Sequence, residues 1–531
     1  MEGTLLAVLA AAVLLAGVSR RFDVSAPLAL VVAGLAASAI PGFGSVELDP
    51  ELVLNVILPP LLWSAGLESS YVTMRRHIRP IGLLAVGLPL ATTLAVGFVA
   101  FHTVPELTIA AALTLGAIVA PPDAVSATAV GRRLGLPRQI MTLLGGESLL
   151  NDATALTAYK VALAAAIGAT ATWGSGLATF GLAVAGGLVV GLTLGWLIAF
   201  IRHRLDDPMV ESAIGLIAPF VIYLVAEEIH GSGVLAVVVA ALILGQRSTE
   251  AGYATRLQDD AVWKALQLIL ESFAFLLIGL QLPEVVHELT GISFVTIAVS
   301  SISVLATVIA VRIVWVFAFA YTPRVLFKRV RENEPRPGAA EVFVLAWAGM
   351  RGVVSLAAAF GVPLTTLSGE HFPGRPQLVF LTFVVVVGTL LLHGLTLPWV
   401  IRRFCVRGDD EQQDALAEAA AQDKAGRAAA ERLDELLEEQ RAGGNAMRDG
   451  AAAVLHKWNT ARRNSAWERL GRSEEELGES PASAFRRLRL EMLAAERETF
   501  IAERDAGNID DEVLRSVLRG LDLEEATLNR R

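Results

Sequence analysis

At 531 residues, with 54% hydrophobic and only 18% charged side chains, the chain is far more apolar than a soluble protein. Its net charge of -9, with no basic patch interleaved with aromatics, argues against a nucleic-acid surface. A single cysteine, Cys405, excludes an internal disulfide framework and any cysteine-based metal cluster.

Apolar stretches of bilayer length recur from the N-terminus to about Phe404 and stop there. The first, Leu5–Val18, follows Glu2 instead of a basic region, and Arg20 and Arg21 come after it. It reads as a first spanning helix and not as a cleaved signal. In chain order thirteen apolar segments follow from the polar breaks: 3–19, 26–42, 51–70, 78–101, 106–131, 139–168, 175–201, 209–229, 232–249, 262–283, 291–322, 339–364 and 376–403. Arginine and lysine cluster in alternate loops: Arg20 and Arg21; Arg75, Arg76 and Arg79; Arg132, Arg133 and Arg138; Arg202 and Arg204; Arg247 and Arg256; and Arg324, Lys328, Arg329, Arg331 and Arg336. The other loops hold only Arg375. The positive-inside rule therefore puts the N-terminus outside and the C-terminal tail in the cytoplasm.

Segment 5 contains Ala120-Pro-Pro-Asp-Ala124, and segment 12 contains Trp347-Ala-Gly-Met-Arg-Gly-Val-Val354. The prolines must interrupt a helical hydrogen-bond ladder, and the two glycines flank a buried arginine. These segments lie seven apart, so they cross in opposite directions. The expected fold is all-α and polytopic, with thirteen transmembrane helices. Two six-helix inverted repeats with broken helices 5 and 12 are joined by segment 7. Residues 1–405 form the membrane domain. Residues 406–531, rich in Ala, Glu, Arg and Leu, read as a cytosolic helical tail with breaks at Gly443–Gly444 and Gly478–Pro481.

Polar groups inside apolar segments each require a partner or a task. They are Asp123; Glu147, Ser148, Asn151, Asp152 and Lys160 in segment 6; and Glu271, Arg312 and Arg351. At about 100° per residue, Glu147, Ser148, Asn151 and Asp152 share an arc of about 140°, with Asp152 about 20 Å along its helix, close to mid-membrane. Lys160 lies on the other side, where it can snorkel to the outer end. Asp152 and Asp123, with the Ser148 hydroxyl, Asn151 and carbonyls freed at the break, make a hard-oxygen site suited to a small alkali cation. The same carboxylates accept protons. Glu147 is expected to pair with a buried arginine: Arg351 is the first candidate and Arg312 the competing one. Glu271 reads as structural or as lying near the cytoplasmic mouth. No catalytic residue pair and no resident cofactor is expected.

The motifs G-E-S-L-L-N-D (146–152), L-P-P-L-L (Leu58–Leu62), the proline–aspartate break, F-L-L-I-G-L (Phe275–Leu280) and G-M-R-G (Gly349–Gly352) together resemble the sodium/proton exchangers of the monovalent cation:proton antiporter-1 family. That resemblance spans about residues 1–405. It implies a homodimer in the bacterial plasma membrane that exchanges Na⁺ or Li⁺ for H⁺ by elevator-like alternating access. It assigns ion and proton binding to Asp152, with Asp123 and Ser148 completing the cation site and Asn151 as the neutral half of an Asn-Asp pair. It makes Glu147 and Arg351 a structural ion pair. Exchange at one carboxylate would be electroneutral. Two positions depart from the family pattern: Pro122 stands where many members have threonine, and Ser64 where many have an acid. Both bear on Na⁺ versus K⁺ preference, so a K⁺/H⁺ antiporter is the nearest alternative and a cation channel a more distant one.

Overall fold

The computed structural model describes all residues except 1, 23–25, 41–52, 70, 170–172, 206, 249, 290–291, 327–336, 405, 407–409, 440–445, 469–480, 507, 509–510 and 530–531. Lys328, Arg329, Arg331, Arg336, Cys405, Gly443, Gly444 and Gly478 thus lie outside the described residues. The chain divides into two compact units, 1–408 and 409–531.

The first unit is helical throughout its described length, apart from loops and an isolated bridge between Thr365 and His371. Besides a short helix at Tyr71–Arg76, its helices are α1 (Glu2–Arg21), α2 (Ala26–Ala37), α3 (Val53–Glu68), α4 (Ile78–Thr103), α5 (Ile109–Ile118), α6 (Ala124–Leu134), α7 (Arg138–Ala166) and α8 (Trp173–His203). They continue with α9 (Pro208–Glu228), α10 (Gly233–Gln246), α11 (Tyr253–His287), α12 (Phe294–Leu326), α13 (Ala339–Trp347), α14 (Val353–Phe360) and α15 (Arg375–Arg403). Among the described residues six helices are long and apolar enough to cross a membrane: α4, α8, α9, α11, α12 and α15. At 29 residues, or about 44 Å, α7 has the length but not the composition, because Glu147, Asn151, Asp152 and Lys160 interrupt it.

The apolar surface is inverted relative to a soluble protein. Large hydrophobic side chains such as Leu182, Leu192 and Trp196 on α8, and Phe294, Ile302 and Val314 on α12, face outward. Lipid, not water, is the solvent such a surface fits. Inside, α7 is the hub, packing against α3, α4, α5, α6, α8, α10, α13 and α14. A second axis is the crossing of α2 and α11, where Gly34 faces Gly279 of the F-L-L-I-G-L motif. A methyl added to Gly279 would lie 2.1 Å from the Val31 carbonyl oxygen, so only glycine lets these backbones approach.

Two helices widen into π turns, Val53–Ile57 in α3 and Leu83–Gly87 in α4. Each sits just before proline: Pro59 and Pro60 in the first, Pro89 in the second. Proline lacks an N–H and crowds the carbonyl four residues back, and a locally wider turn relieves both effects. One carbonyl in the second π turn, that of Leu83, accepts a hydrogen bond from Trp315 Nε1 at 3.0 Å.

The second unit comprises α16 (Asp410–Glu439), α17 (Ala446–Glu468), α18 (Pro481–Asp505) and α19 (Asp511–Leu528). They pair as α16 with α17 and α18 with α19. The pairs are fastened by Arg463 on Asp423 and by Arg489 on Glu524.

Candidate functional site

The site is built where two non-helical stretches pass each other. Helix α5 stops at Ile118, and Pro121 and Pro122 keep the chain out of helix until α6 begins at Ala124. Likewise α13 stops at Trp347 and α14 starts at Val353, with Gly352 extended between them. The stretches are joined directly: the Asp123 N–H donates to the Met350 carbonyl at 2.7 Å. Arg351 Nη1 donates to the Ala120 carbonyl, and its backbone N–H donates to Thr389 Oγ1 at 3.0 Å on α15. Two helix C-termini and two helix N-termini therefore converge on one place, with opposed partial charges and unused backbone groups.

Helix α7 runs past this crossing and presents its polar arc to it. Asn151 is fully buried, and its Nδ2 donates to the Pro122 carbonyl at 2.9 Å. Its Oδ1 has no hydrogen-bond partner among the described residues. Asp152 is only partly buried, as are Ser148 and Asp123. Among the described residues no salt bridge reaches Asp152, and Asp123 is the charged group that acts on it. The Asp123 side chain lies against Gly352, where an added methyl would stand 2.7 Å from its Cβ and 2.8 Å from its Oδ2. The structure therefore brings Asp123, Asn151 and Asp152 to one crossing, and Ser148 lies on α7 one turn before Asp152.

Glu147 differs from the expected arrangement. Its partner is Arg312 on α12 and not Arg351. Arg312 Nη1 donates to Oε1 and Nη2 to Oε2 at 3.0 Å, while Nε and Nη2 also donate to the carbonyls of Ala346 at 3.0 Å and Leu345 at 3.2 Å. Both side chains are buried, at 1% and 2% exposure. The physical reason is space and direction. Gly349 leaves room for the Arg312 stem, whose Cδ would be 2.3 Å from any added Cβ, and the Arg351 guanidinium turns instead to the end of α5. Both glycines of G-M-R-G thus make way for a charged side chain from another segment.

Glu271 stands apart on α11, where Gln267 Nε2 donates to its Oε1 at 2.7 Å. Lys160 does not merely reach toward the outer end: it pairs with Glu227 of α9, whose Oε1 accepts the Gly233 N–H at 3.1 Å. Sequence reasoning passed over Thr389, Gln267 and Glu227. Gln267 had a signal, being four residues before Glu271 on one helix face. Thr389 had none.

Chemically the crossing offers hard oxygen ligands: the carboxylates of Asp123 and Asp152, the Ser148 hydroxyl, Asn151 Oδ1 and freed carbonyls. Among the described residues no group of three or more His, Cys, Asp and Glu side chains gathers as a transition-metal site would require. Hard oxygens of this kind suit a small alkali cation better than a soft transition metal.

The model of the sodium/hydrogen exchanger transmembrane family matches residues 5–403. The chain is 32% identical to a sodium/proton exchanger, itself uncharacterised, of Mycobacterium tuberculosis, over 99% of this chain and 95% of that one. It is 32% identical to the sodium, potassium, lithium and rubidium/proton antiporter of Bacillus subtilis, over 70% of this chain and 57% of the relative. Among solved structures, the sodium/proton antiporter MjNhaP1 of Methanocaldococcus jannaschii superposes with a TM-score of 0.60 at 18% identity, covering 76% of this chain and 98% of that one. The chain belongs to the sodium/hydrogen exchanger family.

Proposed function

We propose that this member of the sodium/hydrogen exchanger family is a secondary antiporter that trades Na⁺ or Li⁺ for H⁺ across the bacterial plasma membrane, with one cation exchanged for one proton. The observation that carries this reading is Asp152: a mid-helix carboxylate without a salt bridge among the described residues, beside the crossing of two interrupted helices. A carboxylate with a permanent arginine partner, such as Glu147, gains little by binding a proton or cation. One left without such a partner can take either.

In this reading Asp152 alternates between proton and cation. Asp123, Ser148 and Asn151 complete the oxygen shell, and the neutral amide at Asn151 keeps the exchanging charge to one. Thirteen crossings arranged as two inverted repeats, with the N-terminus outside and the tail cytoplasmic, would let the site face each side in turn. A homodimer in lipid is the expected assembly. The domain boundary falls near residue 405. A K⁺/H⁺ reading has support in Pro122, which lacks the threonine hydroxyl, in Ser64, which puts a neutral hydroxyl where an acid is expected, and in a relative named for potassium as well as sodium.

The test is proton flux in sealed proteoliposomes at zero membrane potential on adding Na⁺, Li⁺ or K⁺. A pH gradient should drive cation uptake, and Asp152→Asn should abolish it in folded protein. Full activity in Asp152→Asn would defeat the assignment, and flux that needs no counter-gradient would favour a channel.

A further inference from the structure

Outside the crossing, one half-buried carboxylate has a placement that a purely structural role leaves unexplained. Glu271 sits in the apolar part of α11 with no salt bridge among the described residues; its side-chain hydrogen bond comes from Gln267 one turn earlier. Gln267 Oε1 in turn accepts from Ser64 Oγ of α3 at 3.4 Å. At about 100° per residue, Asp260, Lys264, Gln267 and Glu271 fall within an arc of about 60° on α11. Two neighbouring pairs bond: Lys264 with Asp260 at 2.8 Å, and Gln267 with Glu271 at 2.7 Å. The lower end of this stripe opens into a cavity of about 620 Å³ lined by Ser64, Glu68, Asp259, Asp260, Trp263 and Lys264. Arg202, Arg247 and Arg256 line the same cavity, so it belongs to the arginine-rich face. Beyond Gln267, the charged groups that act on Glu271 are Asp123 of the crossing, Arg20 at the end of α1 and Glu68 at the cavity.

We propose that this stripe is the approach path for the cation from the tail side, and that Glu271 captures the ion before it passes to Asp123 and Asp152. The inference rests on the antiport reading and adds a residue to it. A dehydrating cation in a narrow apolar passage needs oxygen ligands at intervals and a negative charge to draw it in. Ser64 Oγ, Gln267 Oε1 and Glu271 supply the oxygens along one line, and Glu271, without a salt bridge among the described residues, supplies the charge. Gln267 also fixes the Glu271 carboxylate in place by donating to one oxygen, leaving the other for the ion. Helix α11 is seated chiefly on α2 and α1, and α7 chiefly on α5 and α4, so the capture group is carried by a different element from the binding group. That separation allows release on the far side without Glu271 following.

The test uses the full chain in membrane vesicles of both orientations, with Na⁺ as the probe, or K⁺ should only K⁺ support exchange. In everted vesicles the tail side meets the added salt; in right-side-out vesicles the opposite side does. Glu271→Gln should raise the apparent KM for the cation by about tenfold from the tail side and leave the KM from the other side unmoved, as loss of one nearby charge in a partly solvated passage implies. Gln267→Leu, which leaves the charge but frees it, should move the tail-side KM in the same direction by less, and it carries the test should Glu271→Gln fail to accumulate. An unchanged tail-side KM, or equal shifts from both sides, overturns the proposal. Absence of exchange in the wild-type chain with every cation would instead strike the antiport reading itself.

Discussion

Two acids five residues apart on α7 have opposite fates, and the difference lies in what surrounds each. Glu147 is locked by a guanidinium that also holds two carbonyls of α13, so removing either partner strands a buried charge. Glu147→Gln or Arg312→Met should each cost about 3–5 kcal/mol, seen as a lower unfolding midpoint in detergent, with the double substitution recovering part of the loss. Additive losses would show that the two side chains act separately. Asn151 has a double task, because its amide both donates to the Pro122 carbonyl and keeps the site at one negative charge fewer. Asn151→Asp removes that donor at a cost of about 1–3 kcal/mol. In the protein that survives, exchange should become sensitive to an imposed membrane potential. A turnover that still ignores the potential would mean that the charge count is set elsewhere.

Between elements, the tie most exposed to test is Lys160 on α7 to Glu227 on α9. Both side chains keep substantial exposure, so the pair adds about 0–1 kcal/mol to overall stability. Its value is positional, since Glu227 is also anchored to the start of α10. Lys160→Glu should therefore change exchange rate far more than unfolding midpoint, and the swap Lys160→Glu with Glu227→Lys should restore the rate. A swap that fails to restore it would reduce the pair to a surface contact. The helices themselves were legible from one-dimensional signals: apolar runs, the Pro121–Pro122 break and the glycines of G-M-R-G all recur as helix or interruption at the expected places. The partner of Glu147 was not legible, because Arg312 lies 165 residues away and the direction of Arg351 depends on the backbone of a non-helical stretch. Nor does composition mark π turns, although the prolines that cause them were in view.

At the scale of the whole molecule, charge separates the two units. Residues 1–408 hold 25 Lys and Arg against 25 Asp and Glu, whereas residues 409–531 hold 19 against 28, so the whole net charge of -9 belongs to the tail. Among the described residues the tail also buries little apolar surface, chiefly Ala419, Ala452, Leu493, Leu514 and Leu521, and so leans on its ion pairs more than the membrane unit does. Hydrogen bonds from Arg463 hold the Asp423 carboxyl below the usual carboxylate range, and those from Arg489 do the same for Glu524. A carboxyl depressed in the folded state contributes stability that is fully present above its unfolded pKa, about 4, and is lost as pH falls through the lower folded value. Amide exchange in the full-length protein, corrected for its intrinsic pH dependence, should therefore show α16–α19 losing protection below about pH 4 while α7 and α11 keep theirs. Arg463→Ala should weaken α16 and α17 already at neutral pH and flatten their response to acid, leaving α18 and α19 as they were. High salt should mimic part of that weakening, because these pairs are exposed enough to be screened. Loss of protection in both units at the same pH would mean that acid acts through the membrane unit and that the tail pairs are incidental.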